Sequence, residues 1–227
     1  DLVSGERVRA DVVVADVDAE HLYEDLLPDG RRLRRARRAG RSTSGFVLLV
    51  GVRGTTPDIA HHNVWFAADA RAEFDALARG ELADDVTIYA SVPTVTDASR
   101  APGGCESWFL MVNAPARCEL DPDATGDRVL ELLATRGPDL RDRIEVRFAM
   151  TPADLASRFR APGGAIYGTS SDGRRAAFAR PANRGPRRGL YLAGGSSHPG
   201  GGLPLVAISG RIVADLVRDD LARGVVA

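Results

Sequence analysis

The sequence contains no lysine: all 30 basic residues are arginine, set against 31 acidic ones. This reads as coding bias rather than function, and a formal net charge of −1 removes any global reason to bind nucleic acid. Cysteine is scarce. Cys105 and Cys118 have no metal or redox spacing, which favours two reduced thiols in a cytosolic protein over a disulfide framework. No apolar run reaches the roughly 18 residues of a membrane span, and no signal peptide follows Asp1. Neither a Ser–His–Asp set nor a carboxylate pair with catalytic spacing is present. The chain opens on Asp-Leu-Val-Ser-Gly without methionine, which points to a fragment or a processed chain. What is there is ordinary for a globular protein: 227 residues, 44% apolar and 27% charged, enough for one large domain or two small ones.

Along the chain, Glu6–Ala15 reads as a strand, and the run Val12-Val13-Val14 is that of a strand buried on both faces. Asp18 is placed to cap a helix over 19–27. The segment Arg31–Arg41, RRLRRARRAGR, is densely basic and helix-compatible. It suits a solvated helix face or an anionic membrane surface, where each charge gains about 1 kcal/mol; without interleaved aromatics it is a poor nucleic-acid reader. Residues 42–53 form a strand with Phe46, Leu48 and Val50 on one face and Val47, Leu49 and Gly51 on the other. Both faces are apolar, one for a core and one for a greasy ligand.

A second strand covers 61–67, where His61 and His62 are expected to point to opposite faces and so not to share a metal; no metal site is expected. A helix over 69–79 has Asp69 as N-cap, Gly80 as stop, and Phe74, Leu77 and Ala78 inward. Strands over 85–92 and 105–113 follow, then a helix within 121–135 with Val129, Leu132 and Leu133 inward. A fifth strand covers 143–150, with Ile144, Val146 and Phe148 alternating against Glu145 and Arg147. Thr151-Pro152-Ala153-Asp154 opens another helix. An Arg-, Pro- and Gly-rich loop over 174–189 precedes the last motif.

That motif is Gly189–Val217, GLYLAGGSSHPGGGLPLVAISGRIVADLV. A short strand, Leu190 to Leu192, runs into a small-residue turn and then an amphipathic helix with Leu205, Ile208, Ile212 and Leu216 at helical spacing. A strand, a glycine turn and the free N–H groups of a helix start suit a polar cofactor.

The stretch resembles the C-terminal signature of the bacterial-type phytoene desaturases, FAD-dependent carotenoid desaturases: an aromatic–aliphatic pair, Gly-Gly, small residues, then His-Pro-Gly-x-Gly-Leu. Ser197 stands where threonine or alanine is usual, and Gly201 where alanine is. ADVVVADVDAEHLYEDLLP near the start and TIYASVPTVTDASRAPGGCESWFLMVNAP in the middle are also similar to family segments. The resemblance runs over nearly the whole chain but matches only the second half of a family member. No G-x-G-x-x-G occurs, so the usual dinucleotide cradle is absent from this sequence.

The resemblance implies an α/β (α+β) fold: the C-terminal part of a two-domain flavoprotein, with a mixed β-sheet substrate domain under a helical cover and the last strand and helix of a Rossmann-like FAD domain. Residues 1–16 would belong to the FAD domain, 17–170 to the substrate domain, and 171–227 would return to the FAD domain. FAD would lie against Gly194, Gly195, Ser196, His198, Pro199, Gly200, Gly202, Leu203 and Pro204. His198 is a candidate proton acceptor but better suited to shaping the turn. Phe46, Leu48, Trp108, Phe109 and Met111 are candidates to line a channel for an acyclic carotenoid, with core packing as the alternative for each. The implied reaction is hydride removal from an allylic carbon, in carotenoid biosynthesis. Carotenoid isomerisation or oxygenation on the same fold, or a non-catalytic lipid-binding fragment, are the alternatives. A lipid-soluble substrate favours the membrane reading of Arg31–Arg41 and a peripheral place on the cytoplasmic face.

Overall fold

The computed structural model describes residues 1–170 and 180–226. The chain order is β1 (Val13–Ala15), α1 (Ala19–His21, continued as a π-helical turn Leu22–Leu26), α2 (Gly30–Arg38), β2 (Ser44–Arg53), β3 (His62–Trp65), α3 (Ala70–Arg79), β4 (Ile88–Ser91), β5 (Cys105–Ala114), α4 (Pro122–Arg136), β6 (Ile144–Met150), α5 (Pro152–Phe159), β7 (Leu190–Leu192) and α6 (Leu203–Ala222). Two units divide the chain: residues 43–159 with 163–166, and residues 1–42 with 160–162 and 167–227. The expected boundary at 17 is therefore displaced to 43. Ala19, Leu22 and Tyr23 form a small core with Leu192, which ties residues 17–42 to the terminal strand. The expected loop over 174–189 lies outside the described residues as far as 179.

The unit of residues 43–159 and 163–166 is built on an antiparallel five-stranded sheet in the order β3-β4-β5-β2-β6. One face is packed. Phe46, Leu48, Val50 and Val52 of β2 stand beside Val112, Leu110 and Trp108 of β5, under Val129, Leu130 and Leu133 of α4. Burying each such side chain stabilises the fold by about 1.5–3 kcal/mol. The local signals hold: Asp69 and Asp121 cap α3 and α4 by accepting from Ala72 N and Ala124 N, and Gly80 ends α3 at φ 82°. Buried Glu106 accepts from Thr56 N and Oγ1 (2.7 Å each) and from Trp108 Nε1 (2.9 Å), pinning the loop after β2.

Two expectations are corrected. Phe74 of α3 is 61% exposed, while Glu73 and Ala76 turn inward. Glu73 accepts from Thr87 N and Oγ1, and this polar anchor sets the rotation of the helix. On β6, Arg147 points to the α4 side, pairing with Asp127 and donating to the carbonyl of Asp123, while Val146 and Phe148 point away from it.

In the other unit, β1 and β7 form a two-stranded parallel sheet. Val13 and Val14 are about half exposed, contrary to a strand buried on both faces. Two strands leave both faces open, and an apolar groove runs along each: about 520 Å³ beside Val12, Val14, Val213 and Val217, and about 490 Å³ beside Val13, Ala15, Leu22 and Leu190. The face α6 buries also differs from expectation. Ser209, Val213 and Asp220 are inside, whereas Leu205 and Ile208 are exposed. Polar contacts decide it: Asn183 Nδ2 donates to Ser209 Oγ (3.1 Å), and Tyr191 Oη donates to Asp220 Oδ2 (2.7 Å) beside the Arg184–Asp220 ion pair. No helix among the described residues is long and apolar enough to cross a membrane.

Candidate functional site

The first site is the turn between β7 and α6. Gly194 has φ 91°, and a Cβ there would collide with the Asp16 carboxylate. Gly201 is backed by the Tyr167 ring, which leaves no room for a side chain. Gly195 has ordinary space around it. The turn is held by groups the sequence reading missed. Arg180 Nη1 donates to the carbonyls of Tyr167 and Gly195 (2.9 Å each), and burial pushes the Arg180 pKa down. Asn183 Nδ2 donates to the carbonyls of Leu192 and His198. Ser196 Oγ donates to Asp18 Oδ2 (3.0 Å), and Asp18 in turn pairs with Arg41, which also pairs with buried Glu20. Spacing gives no sign of these partners, because they come from loops and from a helix about 178 residues away in the chain.

What the turn offers outward is narrower than the expected list. His198, Gly202, Leu203 and Pro204 are exposed, and Gly195, Ser196 and Pro199 are half-exposed; Gly194, Ser197 and Gly200 are buried within the protein. The His198–Pro199 peptide is cis. The His198 ring has no hydrogen-bond partner among the described residues, whereas its carbonyl accepts from Asn183 and Ser209. Gly202 caps α6 without a side-chain hydrogen bond, so the N–H groups of Leu203 and Leu205 have no capping partner among the described residues. Exposed Leu203, Leu205 and Ile208 flank them. Free donors beside apolar surface fit a flat heteroaromatic ring with an electron-rich edge.

The second site is the face of the five-stranded sheet opposite α4. Register fixes its rows: Val64, Tyr89, Met111, Val47 and Met150 in one, and Ser91, Phe109, Leu49 and Phe148 in the next, with His62 opposite Ser91. Val64 (45%), Leu49 (36%), Phe148 (45%) and Val146 (66%) are exposed. Four strand spacings make this face roughly 19 Å wide. Phe109 and Met111 lie on it. Phe46, Leu48 and Trp108 do not: at 0–2% exposure they fill the core on the opposite face, so the expectation that they line a channel is corrected to core packing. Alternation explains the swap, since neighbours in one strand face opposite ways. Arg158 lies over the Phe148 ring at 5.5 Å and borders one side. On the other, the His61 and His62 rings are only 4.4 Å apart, contrary to the expected opposite orientation, because His61 precedes β3. No cluster of His, Cys, Asp and Glu able to hold a metal exists among the described residues.

No protein-family model matches the chain. Among curated proteins, it is 36% identical over 233 residues to the 4,4'-diapolycopene oxygenase of a Methylomonas species, covering 97% of this chain and 46% of that protein. It is 32% identical to the 1-hydroxycarotenoid 3,4-desaturase of a Flavobacterium species (92% and 44% covered). To the zeta-carotene-forming phytoene desaturase of Myxococcus xanthus it is 35% identical (94% and 43%). The chain thus spans a little under half the length of these relatives. Among solved structures, cyclohexylamine oxidase from Brevibacterium oxydans shares the fold, with a TM-score of 0.58 at 14% identity over 96% of this chain and 45% of that one. Carotenoid desaturases and oxygenases are thus matched along nearly all of this chain's residues, as about half of a member of the carotenoid desaturase family would be.

Proposed function

We propose that the chain is the C-terminal half of an FAD-dependent oxidoreductase that desaturates an acyclic carotenoid such as phytoene. The observation that carries this reading is the sheet face opposite α4, where Phe109, Met111, Leu49, Val146 and Phe148 lie on one surface and the last three are exposed. A soluble protein rarely leaves so continuous an apolar face without a ligand for it. The sequence relatives support the chemical class of that ligand.

Bound FAD would supply the acceptor for a hydride and its electron pair. Gly195, Ser196, His198, Pro199, Gly202, Leu203 and Pro204 are the turn residues placed to touch it, and Gly194 and Gly200 shape the turn from within. The start of α6 carries about half a positive charge, which favours added negative charge on a ring beside it. His198 serves the turn through its backbone rather than as a proton acceptor. The residues that would cradle the rest of the dinucleotide belong to the remainder of the full-length enzyme, whose strands and helices would cover the two grooves beside β1 and β7. Arg31, Arg34, Arg35 and Arg38, exposed and unpaired among the described residues, would rest on anionic lipid from which the substrate arrives.

The full-length enzyme, purified and mixed anaerobically with phytoene, is the test. Flavin absorbance that bleaches as a product two hydrogens lighter appears is expected. A colourless protein, or flavin that no carotenoid bleaches, overturns the reading. Oxygenation of a chain end is the second reading, favoured by the oxygenase relative at 36% identity; it predicts a product heavier by oxygen.

A further inference from the structure

The turn before α6 carries two adjacent serines whose hydroxyls are used differently. Ser197 is buried, and its Oγ bonds the Gly194 carbonyl (3.1 Å) and Ser209 Oγ (3.2 Å), so it serves the turn itself. Ser196 is half-exposed, and its Oγ donates to Asp18 Oδ2 at 3.0 Å. Asp18 is 7% exposed and has two further duties. Its Oδ1 accepts from Glu20 N (2.8 Å) and caps α1, and Arg41 Nη1 reaches both carboxylate oxygens, at 3.1 and 3.2 Å. Arg41 is steadied in turn by its ion pair with Glu20. From another side Gly168, at φ 69°, packs so closely on Ser196 that a Cβ there would collide with it. All of these residues belong to one compact unit.

This arrangement fixes what Ser196 can offer. A hydroxyl has one proton to donate and two lone pairs to accept with, whereas an ionised carboxylate only accepts. The Ser196 proton is therefore committed to Asp18, and only lone pairs remain for a ligand. The N–H groups of Leu203 and Leu205, at the start of α6, are donors without a capping partner. One acceptor and a set of donors in the same turn complement an imide edge, in which an N–H stands between two carbonyl oxygens.

We propose that Asp18 and Arg41 are positioning residues that, by holding the Ser196 proton, make Ser196 the acceptor for the imide N–H of a bound flavin ring. The inference rests on the reading of this turn as the flavin site. A ring without that N–H leaves the serine oxygen unpaired against it and forfeits one hydrogen bond, which corresponds to about a three- to tenfold loss of affinity.

The test measures binding to the full-length enzyme, stripped of cofactor, of FAD and of an FAD analogue whose imide N–H is replaced by C–H. The wild type is expected to prefer FAD about three- to tenfold. Ser196→Ala should bring the ratio close to one. Asp18→Asn keeps an oxygen to cap Glu20 N but places an NH2 group toward Ser196; it donates to the serine oxygen and releases the serine proton, so the preference should also vanish. In the Ser196→Ala background, Asp18→Asn should leave the ratio where it is, an outcome that a merely structural role for Asp18 does not produce. A ratio near one in the wild type, or a preference that survives Ser196→Ala, overturns the acceptor role. A preference unchanged in Asp18→Asn, or a ratio that this substitution moves further in the Ser196→Ala background, overturns the positioning role. If the wild type binds FAD but does not discriminate, the proposal fails and the flavin site stands; if it binds neither compound, both fall together.

Discussion

Phe148 of β6 stands directly opposite Leu49 of β2, and both turn away from the packed side of their sheet. Leu48, one residue along, is fully buried. The strand thus divides two jobs between adjacent leucines, one for stability and one for a ligand. Leu48→Ala is expected to cost about 2–5 kcal/mol in urea unfolding, through lost transfer energy and the cavity it leaves. Leu49→Ser and Phe148→Ser should each cost about 1 kcal/mol or less, yet weaken carotenoid binding by the full-length enzyme. Equal destabilisation by the three substitutions would show that the second face is also packed.

The turn before α6 makes a second pair of opposed expectations. Gly194→Ala places a side chain at positive φ and against Asp16, and should lower stability by more than about 1 kcal/mol. Gly195→Ala has room and should stay within about 0.5 kcal/mol. Thermal unfolding of both variants checks this. Adding Asp16→Ala to Gly194→Ala should recover only part of the loss, because the backbone strain remains.

Acid stability should depend on Asp220. The Tyr191 phenol, and then Arg184, hold its carboxyl below the usual carboxylate range, and the same hydrogen bond pushes the Tyr191 pKa up. The lowered carboxyl favours the folded state above its unfolded pKa of about 3.9, and this contribution drains away as pH falls through the lower folded value. Melting temperature measured from pH 6 to pH 3 should fall less steeply for Asp220→Asn than for the wild type. Parallel slopes would remove Asp220 from the account.

The arginines of α2 and of the turn after it should separate by partner. Arg41, 10% exposed, pairs with Asp18 and Glu20, and Arg37 bonds Glu20 at 3.1 Å. Arg41→Gln leaves buried carboxylates uncompensated and is expected to cost about 3–5 kcal/mol. Replacing Arg31, Arg34, Arg35 and Arg38 together by glutamine should barely change stability but should weaken sedimentation with phosphatidylserine vesicles. The loss should match that produced by raising salt. Sedimentation unchanged by the substitutions would rule out this helix as the lipid contact.

Much of this was legible in the sequence because it is local. Asp69, Asp121 and Thr151 cap the helices their spacing announces, Thr151 Oγ1 and Asp154 making a reciprocal pair, and the Gly-rich turn sits between the strand and helix expected of it. Caps, turns and the alternation of β2 depend on residues a few positions apart, so the chain itself specifies them. The sequence also carried the resemblance that names the family.

Only the tertiary structure decided which side of each element faces inward. β2 is apolar on both faces, so its pattern is symmetric, and the tie is broken by α4 packing over Phe46, Leu48 and Trp108 rather than over Leu49, Phe109 and Met111. In α6 and α3 the apolar stripe misled, because hydrogen bonds at Ser209, Asp220 and Glu73 turn the helices to another face. Such bonds join residues far apart in the chain, and a buried polar group left without its partner would cost more than an exposed leucine.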